Sequence, residues 1–262
     1  LHWSRSCGAK LGIFWIEVVL TIEVRRYQRG HQRLHDLQDE LYRVARESFP
    51  GIPEREINER FEEYPEIVVA ADGDTVAGFL FLPHHQFEEN QFLGIRFIAT
   101  AATSRGKGIA TMLVMNPVRT AYMKHVTEKL LPGPHRRLYV VARISSPRAY
   151  FTLTRGNVGV SPDLNQADPS ASVLSCRSLY QWLGDELKLV DFDQRTGIIH
   201  GGASNVGIFP QAMTVPMADQ LSWDAYVPAG SEALTLLPID HVNIMRNAWR
   251  LTRSFATKYS VV

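Results

Sequence analysis

Arg105-Gly106-Lys107-Gly108-Ile109-Ala110 joins an apolar run, Phe92 to Thr100, to a segment with helical spacing. Glycines at 106 and 108 let the backbone turn tightly and leave successive N–H groups uncovered. With the positive end of a helix behind them, such groups make a site for phosphate oxygens. A plain glycine-rich turn reads the same over so short a stretch, so the surrounding elements must decide. Other reactive side chains are scattered. His84 and His85 are adjacent, but no cysteine or carboxylate spacing completes a metal site around them. Cys7 and Cys176 are too few for a disulfide framework and fit a reducing cytoplasm.

The bulk of the chain is ordinary for a soluble globular protein. It has 262 residues, 45% hydrophobic and 21% charged, enough for one large domain or a domain with an extension. With 28 Lys+Arg against 27 Asp+Glu, the net charge is +1. That balance argues against a nucleic-acid partner and against an acidic solvating tail. Leu11 to Ile22 is apolar but short and broken by Glu17, so it reads neither as a membrane span nor as a signal peptide. The first residue is Leu1, as in a tag remnant, an excised domain or a processed product.

Residues 1–17 have no period and read as an N-terminal arm. Val18 to Tyr27 alternates like a half-buried strand. Leu34, Leu37, Leu41, Val44 and Ala45 make an amphipathic helix, stopped at Phe49-Pro50-Gly51, and Pro53 opens a second one. Glu66 to Ala71 and Thr75 to Leu82 form a hairpin over Asp72-Gly73-Asp74. Pro83 to Asn90 reads as a polar loop before the strand Phe92 to Thr100. The helix from Lys107 meets Pro117, which predicts a kink or restart, and a further helix runs from Arg119 to Leu131. Arg137 to Ile144 is a strand, and Ser146-Pro147 caps a helix to Arg155. Beyond an irregular stretch, Leu174 to Leu189 reads as a helix and Asp191 to Pro216 as short segments between turns. Asp219 to Pro228 is mixed, Glu232 to Ile239 is a strand, and Val242 to Thr257 is a final helix.

The order is strand, two helices, hairpin, strand, phosphate-type turn, helix, strand, helix. With Arg105-x-x-Gly108-x-Ala110 at its centre, residues 18–157 resemble the GNAT superfamily of acyl-coenzyme A-dependent N-acyltransferases. The resemblance implies an α+β fold, a mixed and mostly antiparallel sheet flanked by helices, with residues 158–262 as a C-terminal α/β extension. It implies acetyl-coenzyme A as co-substrate and no metal. The amides of Gly106, Lys107, Gly108, Ile109 and Ala110 would hold the pyrophosphate, with Arg105 framing the turn. The backbone of Phe97, Ile98, Ala99 and Thr100 would pair with the pantetheine arm where the fourth and fifth strands part. A strand bulge there would polarise the thioester carbonyl for attack by a neutral amine.

Two departures affect the chemistry. The family's Asn-x-x-Ala-x-x-x-Tyr becomes Ser146-x-x-Ala149, with Leu153 where the acidic Tyr belongs. Ser146 keeps its place beside the cofactor, and Tyr150, almost one turn away, is either the acid or an ordinary core aromatic. On the fourth strand the resemblance implies a carboxylate base, but only Arg96 is offered. The base candidates therefore move to Glu88, Glu89, His84 and His85, residue types common in solvated loops. Asp191 to Ala203 looks like the tail of bacterial GNAT-like proteins, and His200-Gly201-Gly202-Ala203 resembles loading domains that decarboxylate malonyl-type thioesters. Trp182, Trp223, Tyr226 and Trp249 either wall an acceptor pocket or fill a core. The expectation is a cytoplasmic acyltransferase acting on a small-molecule amine, with no membrane or nucleic-acid partner. Alternatives are a decarboxylating or loading domain with a carrier-protein partner, and a coenzyme A-binding protein without catalysis. Homodimer formation through the C-terminal strand and helix stays open.

Overall fold

The computed structural model describes residues 22–51, 53–129, 137–201 and 215–246. In chain order the elements are β1 (Glu23–Gln28), α1 (Gln32–Asp36), α2 (Gln38–Ser48), α3 (Glu54–Glu63), β2 (Glu66–Asp72), β3 (Thr75–Phe81), β4 (His84–Phe87) and β5 (Asn90–Thr100). Then come α4 (Ile109–Lys129), β6 (Leu138–Ile144), α5 (Pro147–Thr154), α6 (Ser170–Ser175), α7 (Arg177–Glu186), β7 (Phe192–Asp193), β8 (Ile198–Ile199), α8 (Met217–Tyr226) and β9 (Glu232–Pro238). The strands lie in the order β1-β2-β3-β5-β6-β9-β8-β7, with β4 also on β5. Every pairing is antiparallel except β5 with β6. The protein is a mixed α/β fold, a mostly antiparallel sheet with helices on both faces.

Alternation along the strands divides the core. Val68, Leu80, Leu93, Ile95, Val140 and Ala142 face one side, where they pack with Ile109 and Leu113 of α4, Phe151 of α5 and Trp223 of α8. Ile67, Val69, Phe79 and Phe81 face the other, under Leu41, Val44 and Ala45 of α2 and Ile57 of α3. Further along that second face, Tyr139, Val141 and Leu236 pack with Tyr180 and Leu183 of α7. The helical spacing of Leu34 to Ala45 thus finds its partner in the β2–β3 hairpin, which turns at Gly73 (φ 60°) as its sequence predicts.

Several elements depart from the sequence expectation. Pro83 to Asn90 is a second hairpin rather than a loop: His84–Phe87 pairs with Asn90–Leu93. No glycine announces its turn; Glu88 takes the left-handed conformation instead (φ 52°). The crossover from β3 to β4 packs Pro83 onto Gly94, where an added Cβ would stand 2.5 Å from the proline ring. Helix α4 runs through Pro117 without interruption. Leu113 and Val118 hold both its halves on the sheet, and that packing outweighs the lost rung. Asp219 to Pro228, mixed in sequence, is mostly the helix α8, and Leu174 to Leu189 is split at Cys176 between two short helices, α6 and α7, the second ending at Glu186.

The C-terminal third joins the same sheet. β9 pairs along the whole of β6, from Tyr139↔Pro238 to Ile144↔Ala233, and carries the small β7–β8 hairpin on its far edge. Two buried tyrosines tie down the irregular stretch between α5 and α6. Tyr180 donates to Ser161 O at 2.5 Å, and Tyr150 donates to Pro162 O at 2.6 Å. The N-terminal arm, Val18 to Thr21, residues 202–214 and Trp249 lie outside the described residues.

Candidate functional site

The site is built where β5 changes partners. Its first half pairs in parallel with β6, from Gln91↔Leu138 to Ile95↔Ala142, and there the pairing ends. Its second half pairs only with β3, at Arg96↔Phe81, Ala99↔Phe79 and Thr100↔Gly78. Phe97 and Ile98 together oppose Leu80, so one residue is left over. Phe97 takes that strain at φ 50°. A bulged strand beside a neighbour that itself ends at Ile144 thus leaves an opening between β5 and β6.

Backbone groups along the opening are not equivalent. Ala101 N–H reaches Ala77 O at 2.9 Å, so by the antiparallel alternation Ala99 also turns its polar groups to β3. Thr100 turns its groups the other way, into the opening. Both are taken by Ser48 of α2, whose hydroxyl donates to Thr100 O at 3.0 Å and accepts from Thr100 N–H at 2.9 Å. The expectation that Phe97, Ile98, Ala99 and Thr100 all receive an extended ligand therefore narrows to the bulge, Phe97 and Ile98. A serine hydroxyl closes the rung beyond it.

After β5 the chain makes a short 3-10 turn, Ala102–Ser104, and reaches the glycine motif. Gly106 and Gly108 sit at φ 77° and 81°, a conformation that disfavours side chains, and nothing lies within 4 Å of where their Cβ atoms would be. The ladder of α4 opens with Met112 N–H on Gly108 O at 3.0 Å. The amides of Ile109, Ala110 and Thr111 precede the first intrahelical acceptor and form the free donors of a helix start. Lys107 is exposed beside them. Arg105 turns inward and donates to the carbonyl oxygen of Glu47, while the Glu47 carboxylate accepts from Ala102 N–H at 2.7 Å. That backbone bond, more than the neighbouring Arg43, holds the Glu47 carboxyl below its ordinary range despite burial. Arg105 thus frames the turn by anchoring it to α2. A bare, glycine-opened turn at a helix start, continuous with the bulged strand, fits an extended phosphate-bearing ligand such as coenzyme A.

Among the acid–base candidates, the fold brings none to the opening. Tyr150 is fully buried; its hydroxyl donates to Pro162 O and accepts from Leu164 N–H at 3.1 Å. Burial pushes its pKa up to about 12, so it is a core tether. Glu88 and Glu89 sit at the tip of the β4–β5 turn, eight or nine residues from the bulge, about 25 Å or more along the strand. His84 packs on the opposite face of the sheet, with Nε2 3.1 Å from Glu66 Oε2. Glu66 is buried and also bonded by Arg26. Burial alone would raise its pKa, but these two partners outweigh it and bring it down to about 2. His85 Nδ1 meets Glu186 Oε1 of α7 at 3.0 Å. Ser146 caps α5, accepting from Ala149 N–H at 3.3 Å. Trp182 stacks on Phe87 and Trp223 lies against Tyr150, so both fill cores. Tyr226 bonds Thr196 O at 2.7 Å.

A polar cluster that no local motif announces does reach the opening. Leu93 and Ile95 face α4, so Arg96 projects to the other face, next to the bulge. Its electrostatic neighbours are Tyr64, Arg143, Glu232 and Arg60. Arg143 of β6 binds Glu232 of β9, its Nε 2.7 Å from Oε2. Arg60 of α3 is paired with Glu56 and lies over the Phe97 ring, 5.1 Å from its centre. These residues come from four regions of the chain, and Glu232 joins the others because β9 pairs with β6.

Comparison with known proteins agrees with this geometry. The fold and the site define the class first: a sheet opened between two parallel strands, with a phosphate-type turn at the end of one of them. Residues 32–130 match the model of the Acetyltransferase (GNAT) family. Among solved structures, the chain is similar to aminoglycoside 6'-acetyltransferase type Ii (18% identity, 56% of this chain and 91% of that one, TM-score 0.37). It is also similar to an IAA acetyltransferase from Bacillus cereus (19%, 54% and 81%, 0.35) and to Ard1 from Thermoplasma volcanium (14%, 57% and 92%, 0.36). At these scores the likeness is loose, and the acceptors named for those proteins are theirs. No curated protein matches the sequence. Among the described residues no group of His, Cys, Asp and Glu could hold a metal, and no helix is long and apolar enough to cross a membrane.

Proposed function

We propose that the protein moves an acetyl or other short acyl group from acyl-coenzyme A to an amine. One observation carries this reading: the bulge at Phe97–Ile98, where β5 has left β6, runs directly into the glycine turn at the start of α4. The amides of Gly106 and of Gly108 to Ala110, with the exposed Lys107 side chain, hold the pyrophosphate, the helix start supplying partial positive charge. Ser146 stays beside the cofactor, and Phe97 and Ile98 receive the pantetheine end. An acyl thioester brought there places its carbonyl against the bulge, whose backbone N–H stabilises the oxyanion formed on attack. The amine nitrogen bonds to the carbonyl carbon, the carbon–sulfur bond breaks, and the thiolate takes up a proton.

Glu232 replaces the earlier base candidates, because it is a carboxylate that the fold carries to the opening. It accepts the amine proton directly or through water. Residues 18–157 form the acyl-coenzyme A core, and residues 158–262 add β9 and the acceptor side. A small-molecule amine, with cytoplasmic reaction, is the partner this reading favours. The failure of Tyr150, Glu88, Glu89 and His84 to reach the opening favours, as second reading, a coenzyme A-binding protein without turnover.

The test is thiol release from acetyl-coenzyme A with and without a panel of amines, with calorimetry for coenzyme A itself. Amine-dependent release that falls at least 100-fold in Gly108→Asp is the expected result. That aspartate sets a carboxylate among the phosphate donors at a position of φ 81°. Tight coenzyme A binding with no release selects the second reading. Coenzyme A binding that is absent, or unmoved by Gly108→Asp, refutes both.

A further inference from the structure

Arg96 is the feature of the opening that acyl transfer leaves unexplained. It is half-buried beside the bulge, and it makes no hydrogen bond or ion pair with any described residue. Its two cationic neighbours are each matched: Arg143 by Glu232 and Arg60 by Glu56. The cluster therefore carries one uncompensated positive charge, beside the residue at which the thioester would react. The Arg60 Nε of the same cluster is buried without a partner. Burial is the main influence on Arg96 and lowers its pKa, with Tyr64 opposing and Arg143 reinforcing that shift. A guanidinium does not lose its proton at physiological pH, so Arg96 stays charged in the opening. A half-buried cation with its fork of donors unused is placed to take an anion that enters the opening.

We infer that Arg96 binds a carboxylate on the molecule that reacts at the bulge. The planar fork of donors suits a carboxylate in two-point contact, and Arg143 flanks it from β6. This inference rests on the acyl-transfer reading and adds the substrate's charge to it. The carboxylate comes either from an amine acceptor of amino-acid type or from the far end of a dicarboxylic acyl group. Both present the same group, a few bonds from the reacting carbon.

The full-length protein is assayed in two arms. In one, amino acids with their amine at increasing distance from the carboxylate are compared with the matching carboxamides, using acetyl-coenzyme A. In the other, malonyl- and succinyl-coenzyme A are compared with acetyl- and propionyl-coenzyme A, using uncharged amines. Binding of the same acids and amides to the coenzyme A-saturated protein is followed by calorimetry, so that the answer does not depend on turnover. The expected result is a preference of about 10- to 100-fold for the carboxylate form in one arm, the size of a charge-assisted contact. Arg96→Gln abolishes that preference and leaves the affinity for unacylated coenzyme A unchanged. Arg96→Lys, which keeps the charge and loses the fork, retains part of it. Because Arg96 has no partner to lose, Arg96→Gln melts at the same temperature as the parent or higher.

Acids and amides that bind and react alike, while coenzyme A still binds, overturn the inference and leave acyl transfer standing. A preference that survives Arg96→Gln, with a lowered melting temperature, makes Arg96 structural and also overturns it. Absence of coenzyme A binding removes both readings together.

Discussion

Tyr150→Phe separates two roles that the sequence allows for the same residue. The substitution keeps the ring, so the contacts with Phe151 and Trp223 persist. Only the hydroxyl is lost, and with it the bonds to Pro162 O at 2.6 Å and Leu164 N–H at 3.1 Å. Both backbone groups would be orphaned in the interior, each at a cost of about 1–3 kcal/mol, and partial relaxation of the 162–164 segment reduces the sum. A loss of about 2–4 kcal/mol follows, which for a chain of this size lowers the melting temperature by about 4–16 °C. The assay pairs thermal and urea unfolding with thiol-release kinetics well below the new melting temperature. A stability loss in that range with kcat changed less than threefold fits a core tether. Unchanged stability with kcat reduced 100-fold would refute the reasoning and restore Tyr150 as the acid.

Two further perturbations test the scaffold. Ser48→Ala removes the hydroxyl that serves both backbone groups of Thr100; it should cost about 2 kcal/mol in urea unfolding. A change under 0.5 kcal/mol would mean that water serves that rung equally well. Glu66 gives a pH signature. Its folded pKa, about 2, lies below its unfolded value, so its contribution is complete above the unfolded value and is lost as pH falls toward 2. Melting temperatures measured from pH 6 to pH 2 should therefore fall less steeply in Glu66→Gln, which is also less stable than the parent at neutral pH. Identical slopes would exclude the Arg26–Glu66–His84 network as a source of acid sensitivity.

The contrast between the glycine turn and the arginine cluster shows what a sequence displays and what it conceals. The turn at Arg105–Ala110 is local: its glycines, the strand before it and the helix after it lie within about thirty consecutive residues, and each has its own pattern. The β2–β3 hairpin and the helix Leu34–Ala45 are legible for the same reason, since period and turn chemistry are properties of neighbours in sequence. The opening itself has no such pattern. It exists because β5 bulges at Phe97–Ile98 and its pairing with β6 stops at Ala142, a meeting of segments more than forty residues apart. Ser48, fifty-two residues before Thr100, decides which rungs stay free, and nothing in its sequence setting distinguishes it from any serine at a helix end. The misplacement of Tyr150 has the same origin. Its spacing from Ala149 is a local fact, whereas its burial depends on α8 and on the segment after α5. The hairpin at His84–Phe87 was hidden because its alternation is carried by polar residues, whose pairing only β5 reveals. Arg96 is the instructive case. In sequence it is an arginine where a carboxylate is expected; in the fold it is a cation whose two cationic neighbours already have carboxylates of their own. That difference turns a missing base into a statement about what the substrate must carry.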